Sequence, residues 1–109
     1  MKTANKFGLS DRDLSTIQGV LQKHECVRKV LIFGSRTCSK YHAGSDIDLA
    51  IIEGSPTLLE LARIQDDFEE STLPYFVDVL ILSSIREDAL KKSILKGRLI
   101  YDWTKLEVT

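Results

Sequence analysis

The sequence predicts an α/β fold of the α+β kind, a small sheet of about four strands with helices packed over it. Three observations carry that expectation. Short runs rich in β-branched and aliphatic residues recur at 30–33, 46–52, 75–82 and 98–102, each the length of a strand. Between them lie stretches whose apolar residues return every three or four positions, the spacing of one helix face. The chain has 109 residues, 43% hydrophobic and 28% charged, which gives core enough for a single domain over 1–109 and too little for two.

Ser10 ahead of Asp11, Arg12 and Asp13 reads as a helix start, because a hydroxyl caps free amides and acidic residues favour the positive end of the dipole. Leu14, Ile17, Val20 and Leu21 extend this first helix to residue 24. Val27 and Val30-Leu31-Ile32-Phe33 make a first strand that stops at Gly34, and residues 35–41 read as a short helix. Ala43-Gly44-Ser45 turns into a second strand over 46–52. Gly54-Ser55-Pro56 breaks it, with Pro56 suited to a first helical turn. Leu58, Leu59, Leu61, Ala62, Ile64, Gln65 and Phe68 carry a second helix to residue 71. After Leu73-Pro74 come a third strand over 75–82, a helix over 84–96 with Gly97 as its C-cap, and a last strand over 98–102.

Composition narrows the function. A net charge of -1 argues against a freestanding nucleic-acid binder, which needs an excess of Lys and Arg, and favours a protein or small-molecule partner. The N-terminal MKTANKFGLSDRD has no apolar core for a signal peptide. No apolar stretch approaches the roughly 20 residues that span a bilayer, so no membrane partner and a cytoplasmic location are expected. His24, Cys26, Cys38 and His42 superficially suggest zinc. They lack the short Cys-Cys knuckle of such sites, and free, partly buried thiols are expected instead.

The most informative stretch is GSRTCSKYHAGSDIDLAII, residues 34–52. Side chains alternate across a strand, so Asp46 and Asp48 share one face while Ile47, Leu49 and Ile51 share the other. Their Cα atoms would lie about 7 Å apart, within reach of one ion. In Tyr75-Phe76-Val77-Asp78-Val79-Leu80-Ile81-Leu82 the one charge is Asp78, and a buried lone Asp there needs a partner or a raised pKa. If its strand lies beside the Asp46-Asp48 strand, three carboxylates converge. At 4–5 Å and an effective dielectric near 20, each like-charge pair costs about 3–4 kcal/mol. Folding gives no reason to build that, whereas a divalent cation does, and an all-oxygen set suits Mg²⁺ or Mn²⁺ rather than zinc. Taken singly, each has an ordinary reading: Asp46 as a turn residue, Asp48 as a salt-bridged strand residue, Asp78 as a carboxylate satisfied by an Arg or backbone donors.

Gly34-Ser35 supplies the complement. A strand ending at Gly and turning into a helix presents backbone N–H groups and a hydroxyl to an anion, and Gly lets the backbone approach a ligand closely. Cation-holding carboxylates beside such a turn describe a site for a metal–nucleotide complex.

The pattern G-S-x(9)-S-D-I-D-L, followed thirty positions after Asp48 by Asp78 in an apolar strand, resembles the nucleotidyltransferase superfamily of DNA polymerase beta. It is most similar to the minimal nucleotidyltransferase (MNT) domains of bacteria and archaea. The resemblance runs from the first helix to Tyr101 and is carried by Gly34, Ser35, Arg36, Gly44, Ser45, Asp46, Asp48 and Asp78. It implies the nucleotidyltransferase fold, with a small mixed sheet flanked by helices. It implies that Gly34 and Ser35 bind the phosphates of ATP, with Arg36 and Ser45 in the same nucleotide-binding set. Asp46 and Asp48 would ligate two Mg²⁺ ions (or Mn²⁺), and Asp78 would complete the catalytic and metal-binding set as ligand or general base. Arg36 would either steady a phosphate or pair with a carboxylate. Thr37 and Ser39 depart from the family's usual small residue and Gly, which bears on the phosphate contacts and not on the metal ligands.

Minimal members of this family commonly act as the antitoxin half of a toxin–antitoxin pair beside an all-helical protein of the HEPN type. The resemblance therefore implies transfer of AMP from ATP to a hydroxyl of such a partner; self-association stays open. The rival of another class is a non-catalytic nucleotide-binding or interaction subunit that works only by binding a helical protein. Of the other enzymes, a D-x-D phosphatase carries its pair at the C-terminal end of the apolar run, and an EF-hand needs a loop Gly and a closing Glu that D-I-D-L lacks. Lys40 and His42 read as solvated or phosphate-touching, and Lys91, Lys92, Lys96 and Arg98 as a solvated helix face. Tyr75, Phe76, Tyr101 and Trp103 lie near element ends and are expected to offer an exposed patch to a partner.

Overall fold

The computed structural model describes residues 9–34 and 46–103. Elements follow in the order α1 (Asp11–Gln22), β1 (Val27–Phe33), β2 (Ile47–Gly54), α2 (Leu58–Glu69), β3 (Val77–Ile81), a 3₁₀ turn (Leu82–Ser84), α3 (Asp88–Leu95) and β4 (Arg98–Asp102). The strands form one mixed sheet in the order β3-β2-β1-β4. β1 runs antiparallel to both β2 and β4, and β2 runs parallel to β3.

Two capping boxes set the starts of α1 and α2. Ser10 Oγ accepts from the Asp13 amide at 3.1 Å and Asp13 accepts from the Ser10 amide at 3.3 Å. Thr57 and Glu60 repeat the exchange at 3.1 and 2.8 Å. Each box satisfies two amides that a helix start otherwise leaves open. The second one also corrects the expectation for Pro56. Because Thr57 is the cap, the helix begins at Leu58 and Pro56 lies outside its first turn.

Strand alternation then divides the core in two. Val30, Ile32, Ile47, Leu49, Ile51, Val77 and Val79 face α1 and α2, which contribute Ile17, Val20, Leu21, Ile64 and Phe68. On the opposite face Leu31, Phe33 and Ala50 pack with Ile94 of α3, flanked by Ile52, Leu80, Ile85 and Leu90. Burying a side chain of this size contributes about 1.5–3 kcal/mol, so both layers hold the sheet.

The third helix is shorter than expected, starting at Asp88 instead of residue 84. Leu82–Ser84 form a single 3₁₀ turn and Ile85 is extended at φ -84°, ψ 131°, a conformation that places Ile85 against the second core. Gly97 is not the C-cap; Lys96 is, in the right-handed region. Gly97 serves a steric end instead: a Cβ there would stand 2.3 Å from the Ile32 carbonyl oxygen. Only a residue without a side chain lets the chain leave α3 and enter β4 this close to β1. The strands expected over 46–52 and 75–82 run over Ile47–Gly54 and Val77–Ile81 instead.

The expected aromatic patch is also corrected. Tyr101 is 2% exposed, and Trp103 packs against the first core with the Arg28 guanidinium 4.8 Å from its ring centroid. Tyr75 is half-buried, and Phe76 alone of the four is open, at 54%. The exposed large apolar side chains are Phe76, Leu58, Leu59, Leu95 and Leu99 among the described residues.

Candidate active site

One end of the sheet gathers the chemistry. β1 finishes there while β2, β3 and β4 begin there, as the antiparallel and parallel pairings require. In register, Asp48 lies opposite Phe33 on one side and opposite Asp78 on the other. Directly paired residues on neighbouring strands stand about 4.8 Å apart at the backbone with side chains on the same face. The adjacency on which the convergence of carboxylates depends is therefore present. Asp46 immediately precedes β2, and the hydrogen bond from the Ile47 amide to the Phe76 carbonyl, 2.9 Å, locks the two strand starts together.

The three carboxylates differ in setting. Asp48 is half-buried, while Asp46 and Asp78 are exposed. Burial pushes the Asp48 carboxyl up from its ordinary value, and the charges of Asp78 and then Asp46 push it in the same direction. Asp48 thus feels both neighbours as uncompensated negative charge. The expectation of a buried Asp78 is corrected: β3 is an edge strand, and Asp78 sits near its open start, where water reaches it. Among the described residues no group of three or more His, Cys, Asp or Glu is gathered tightly enough to hold an ion as it stands. A hard cation still fits the donor set, because it is all oxygen and its central carboxylate is held in a field that favours positive charge.

Gly34 closes the site from the β1 side. Its φ of 85° lies in the left-handed region, and a Cβ on it would come within 2.5 Å of Asp48 Oδ2. The glycine thus gives the chain its turn out of β1 and leaves the space that the Asp48 carboxylate occupies. Ser35, Arg36 and Ser45, the other expected nucleotide contacts, lie outside the described residues, as do Gly44, Lys40 and His42.

Gln65, expected only as part of the second helix, has a further contact near the site. Gln65 of α2 hydrogen-bonds β3 on both sides of Asp78, donating its amide to the Val77 carbonyl and accepting from the Val79 amide. Its signal in the sequence was a polar residue one turn from both Leu61 and Phe68, inside the apolar stripe.

The histidine and cysteine that suggested zinc have other occupations. His24 Nε2 lies 2.8 Å from Asp67 Oδ2, tying the end of α1 to α2, and Cys26 is a free, partly buried thiol whose pKa is raised by burial and by Glu60. Cys38 lies outside the described residues. Lys92, Lys96 and Arg98 are exposed and Lys91 half-buried, as expected of a solvated face.

A four-stranded mixed sheet with an Asp-x-Asp pair entering one strand and a third Asp paired across from it is the arrangement of the polymerase beta nucleotidyltransferases. The model of that family, polymerase beta nucleotidyltransferase, matches residues 15–105, and the chain belongs to it. It is 34% identical over 89 residues to a probable protein adenylyltransferase MntA from Haemophilus influenzae, covering 81% of this chain and 78% of that one. Among solved structures, a toxin-antitoxin crystallised with AMP-PNP superposes with a TM-score of 0.67 at 19% identity, over 83% of this chain and 73% of that one. A mutant of the toxin-antitoxin MntA-HpeT superposes at 0.64 with 18% identity, over 82% and 72%. These two likenesses show the fold.

Proposed function

We propose that this domain is a protein adenylyltransferase, moving AMP from ATP to a hydroxyl of a small helical partner of the HEPN type, and that it serves as the antitoxin of a toxin–antitoxin pair. The observation that carries the chemistry is the register match of Asp48 with Asp78, beside a glycine that makes room for the Asp48 carboxylate. The acceptor rests on the relative from Haemophilus influenzae, a probable protein adenylyltransferase, and on folds shared with toxin-antitoxin proteins, one of them with AMP-PNP.

In this reading Asp46, Asp48 and Asp78 would hold two Mg²⁺ or Mn²⁺ ions. Such ions, when bound, neutralise phosphate charge and lower the pKa of an attacking hydroxyl. The chain's own residues supply the rest. Gly34 and Ser35 cradle the phosphates with backbone amides and a hydroxyl, and Arg36 and Ser45 complete that binding set. The acceptor oxygen forms its bond to the α-phosphorus as the bond to pyrophosphate breaks. Asp78, exposed near the start of β3, would serve as a ligand or take the proton that the hydroxyl releases.

The test is to co-express the protein with the helical protein proposed as its partner, add ATP and Mg²⁺, and measure intact masses. Transfer of one AMP adds about 329 Da to the partner and releases pyrophosphate, as phosphoryl transfer requires. The addition should vanish with Asp46→Asn. A partner whose mass stays unchanged with the wild-type protein refutes the assigned acceptor.

A further inference from the structure

Among the described residues β3 is an edge strand, bonded to β2 on one side and to no strand on the other. Its outer edge is nevertheless occupied beside the site. The Gln65 side chain donates to the Val77 carbonyl and accepts from the Val79 amide at 3.2 Å. These are the two groups that a fifth strand would have bonded, so the carboxamide stands in for a strand over one ladder repeat. Val77 and Val79 are 2% and 4% exposed, and water has little access to replace the carboxamide there. Between them sits Asp78, whose own amide and carbonyl face β2 by strand alternation.

We propose that Gln65 is a positioning residue for Asp78: by clamping both flanks of that residue to α2, it holds the third carboxylate in register with Asp48. The proposal rests on the nucleotidyltransferase reading of the carboxylates. The clamp has physical consequences for that site. An edge strand with a free outer side can twist and slide, and Asp78 would then move relative to Asp48, to which it is tied only through the β2–β3 ladder. Gln65 reads no side chain of β3; it reads only the backbone. Its effect is to fix where the Asp78 carboxylate starts, not to supply a ligand.

The molecule provides its own control. Gln18 of α1 donates to the Ile100 carbonyl at 3.1 Å, so it braces the opposite edge strand, β4, by similar chemistry and away from the carboxylates. Gln65→Leu and Gln18→Leu each remove a glutamine brace while keeping bulk, and only the first adjoins the site.

The experiment compares Mn²⁺ binding, followed by electron paramagnetic resonance, and amide hydrogen exchange, followed by NMR, in wild type and both variants well below their melting temperatures. Q65L should weaken Mn²⁺ binding about tenfold, the scale seen when a residue behind a metal ligand is lost, and should speed exchange at the Asp78 amide. Q18L should leave both at wild-type values, whatever it does to melting. Equal Mn²⁺ affinity in Q65L and Q18L, or an unchanged Asp78 amide in Q65L, overturns the proposal. A wild-type protein that binds no Mn²⁺ defeats the metal-binding reading of the carboxylates and not the clamp, which the exchange rates then decide. If Q65L does not fold, Gln65→Glu makes the same comparison, since it keeps the acceptor for Val79 and loses the donor to Val77.

Discussion

Asp48 is the residue at which folding and chemistry pull in opposite directions. Its carboxyl is raised by burial and by Asp78 and Asp46, so the native state holds a proton there at pH values where the unfolded chain has released it. Stability therefore falls as pH rises from the unfolded pKa through the native one, and the deficit persists above both. Replacing Asp48 by Asn removes the deficit. Asp48→Asn should match or exceed wild type in metal-free melting temperature at pH 7, by less than about 1 kcal/mol for a carboxylate this open to water. The difference should close as acid protonates Asp48 in the native and unfolded states alike. Transfer activity should be abolished. Melting curves at pH 4 and pH 7 check the sign, and an Asn variant less stable than wild type at pH 7 would mean that the carboxylate has a structural partner. Gly34→Ala is the steric counterpart. With φ at 85° and Asp48 Oδ2 2.5 Å from the added carbon, the variant should lose roughly 1–2 kcal/mol from the left-handed backbone. It should also lose about a hundredfold in activity, because a shift near 1 Å at a reacting group costs that much. Denaturant melts and single-turnover rates separate the two effects.

At the scale of elements, what could be read from the sequence is what strand alternation and capping dictate locally. Placing Asp46 and Asp48 on one face needed only the period of two, and Ser10 announced α1 through its acidic first turn. Asp78 shows where such reading stops. Its pairing with Asp48 was foreseen as a condition, but its exposure depends on strand order, and β3 lies at an edge because β4 joins the sheet beside β1. No local pattern encodes that choice. Gln65 was hidden for the same reason, since a polar residue in an apolar stripe gains meaning only once the strand it faces is known. Gly97 looked like a helix cap and is instead the point where α3 and β4 touch β1. Gly97→Ala should accordingly destabilise the protein by about 2–3 kcal/mol, the cost of forcing volume into a packed contact. Because the blocking atom is the Ile32 carbonyl oxygen, a backbone atom that cannot rotate away, the β1–β4 ladder should loosen before the rest of the sheet. A larger rise over wild type in amide exchange in β4 than in β2 would show it, and a variant as stable as wild type would refute the contact.

For the molecule as a whole, the three carboxylates and Gly34 meet at one end of the sheet, where β1 ends and β2 and β3 begin, so under the proposed function cation and nucleotide should stabilise the fold together. Bound alone, Mg²⁺ must sit among carboxylates with part of its shell left to water; ATP alone must bring its negative phosphates beside Asp46, Asp48 and Asp78. Bound jointly, each relieves the repulsion that the other meets. A ligand at one hundred times its dissociation constant stabilises by about 2.7 kcal/mol, worth roughly 10–20 °C in a domain of this size. The pair should therefore raise the melting temperature by more than the sum of the separate shifts, and the excess should disappear in Asp48→Asn, which removes the carboxylate between the other two. A zinc chelator should leave the melting temperature of the metal-free protein unchanged, given that His24 is engaged with Asp67. Additive shifts from Mg²⁺ and ATP would mean that the two do not meet at this end of the sheet, and chelator-induced melting would return attention to His24 and Cys26.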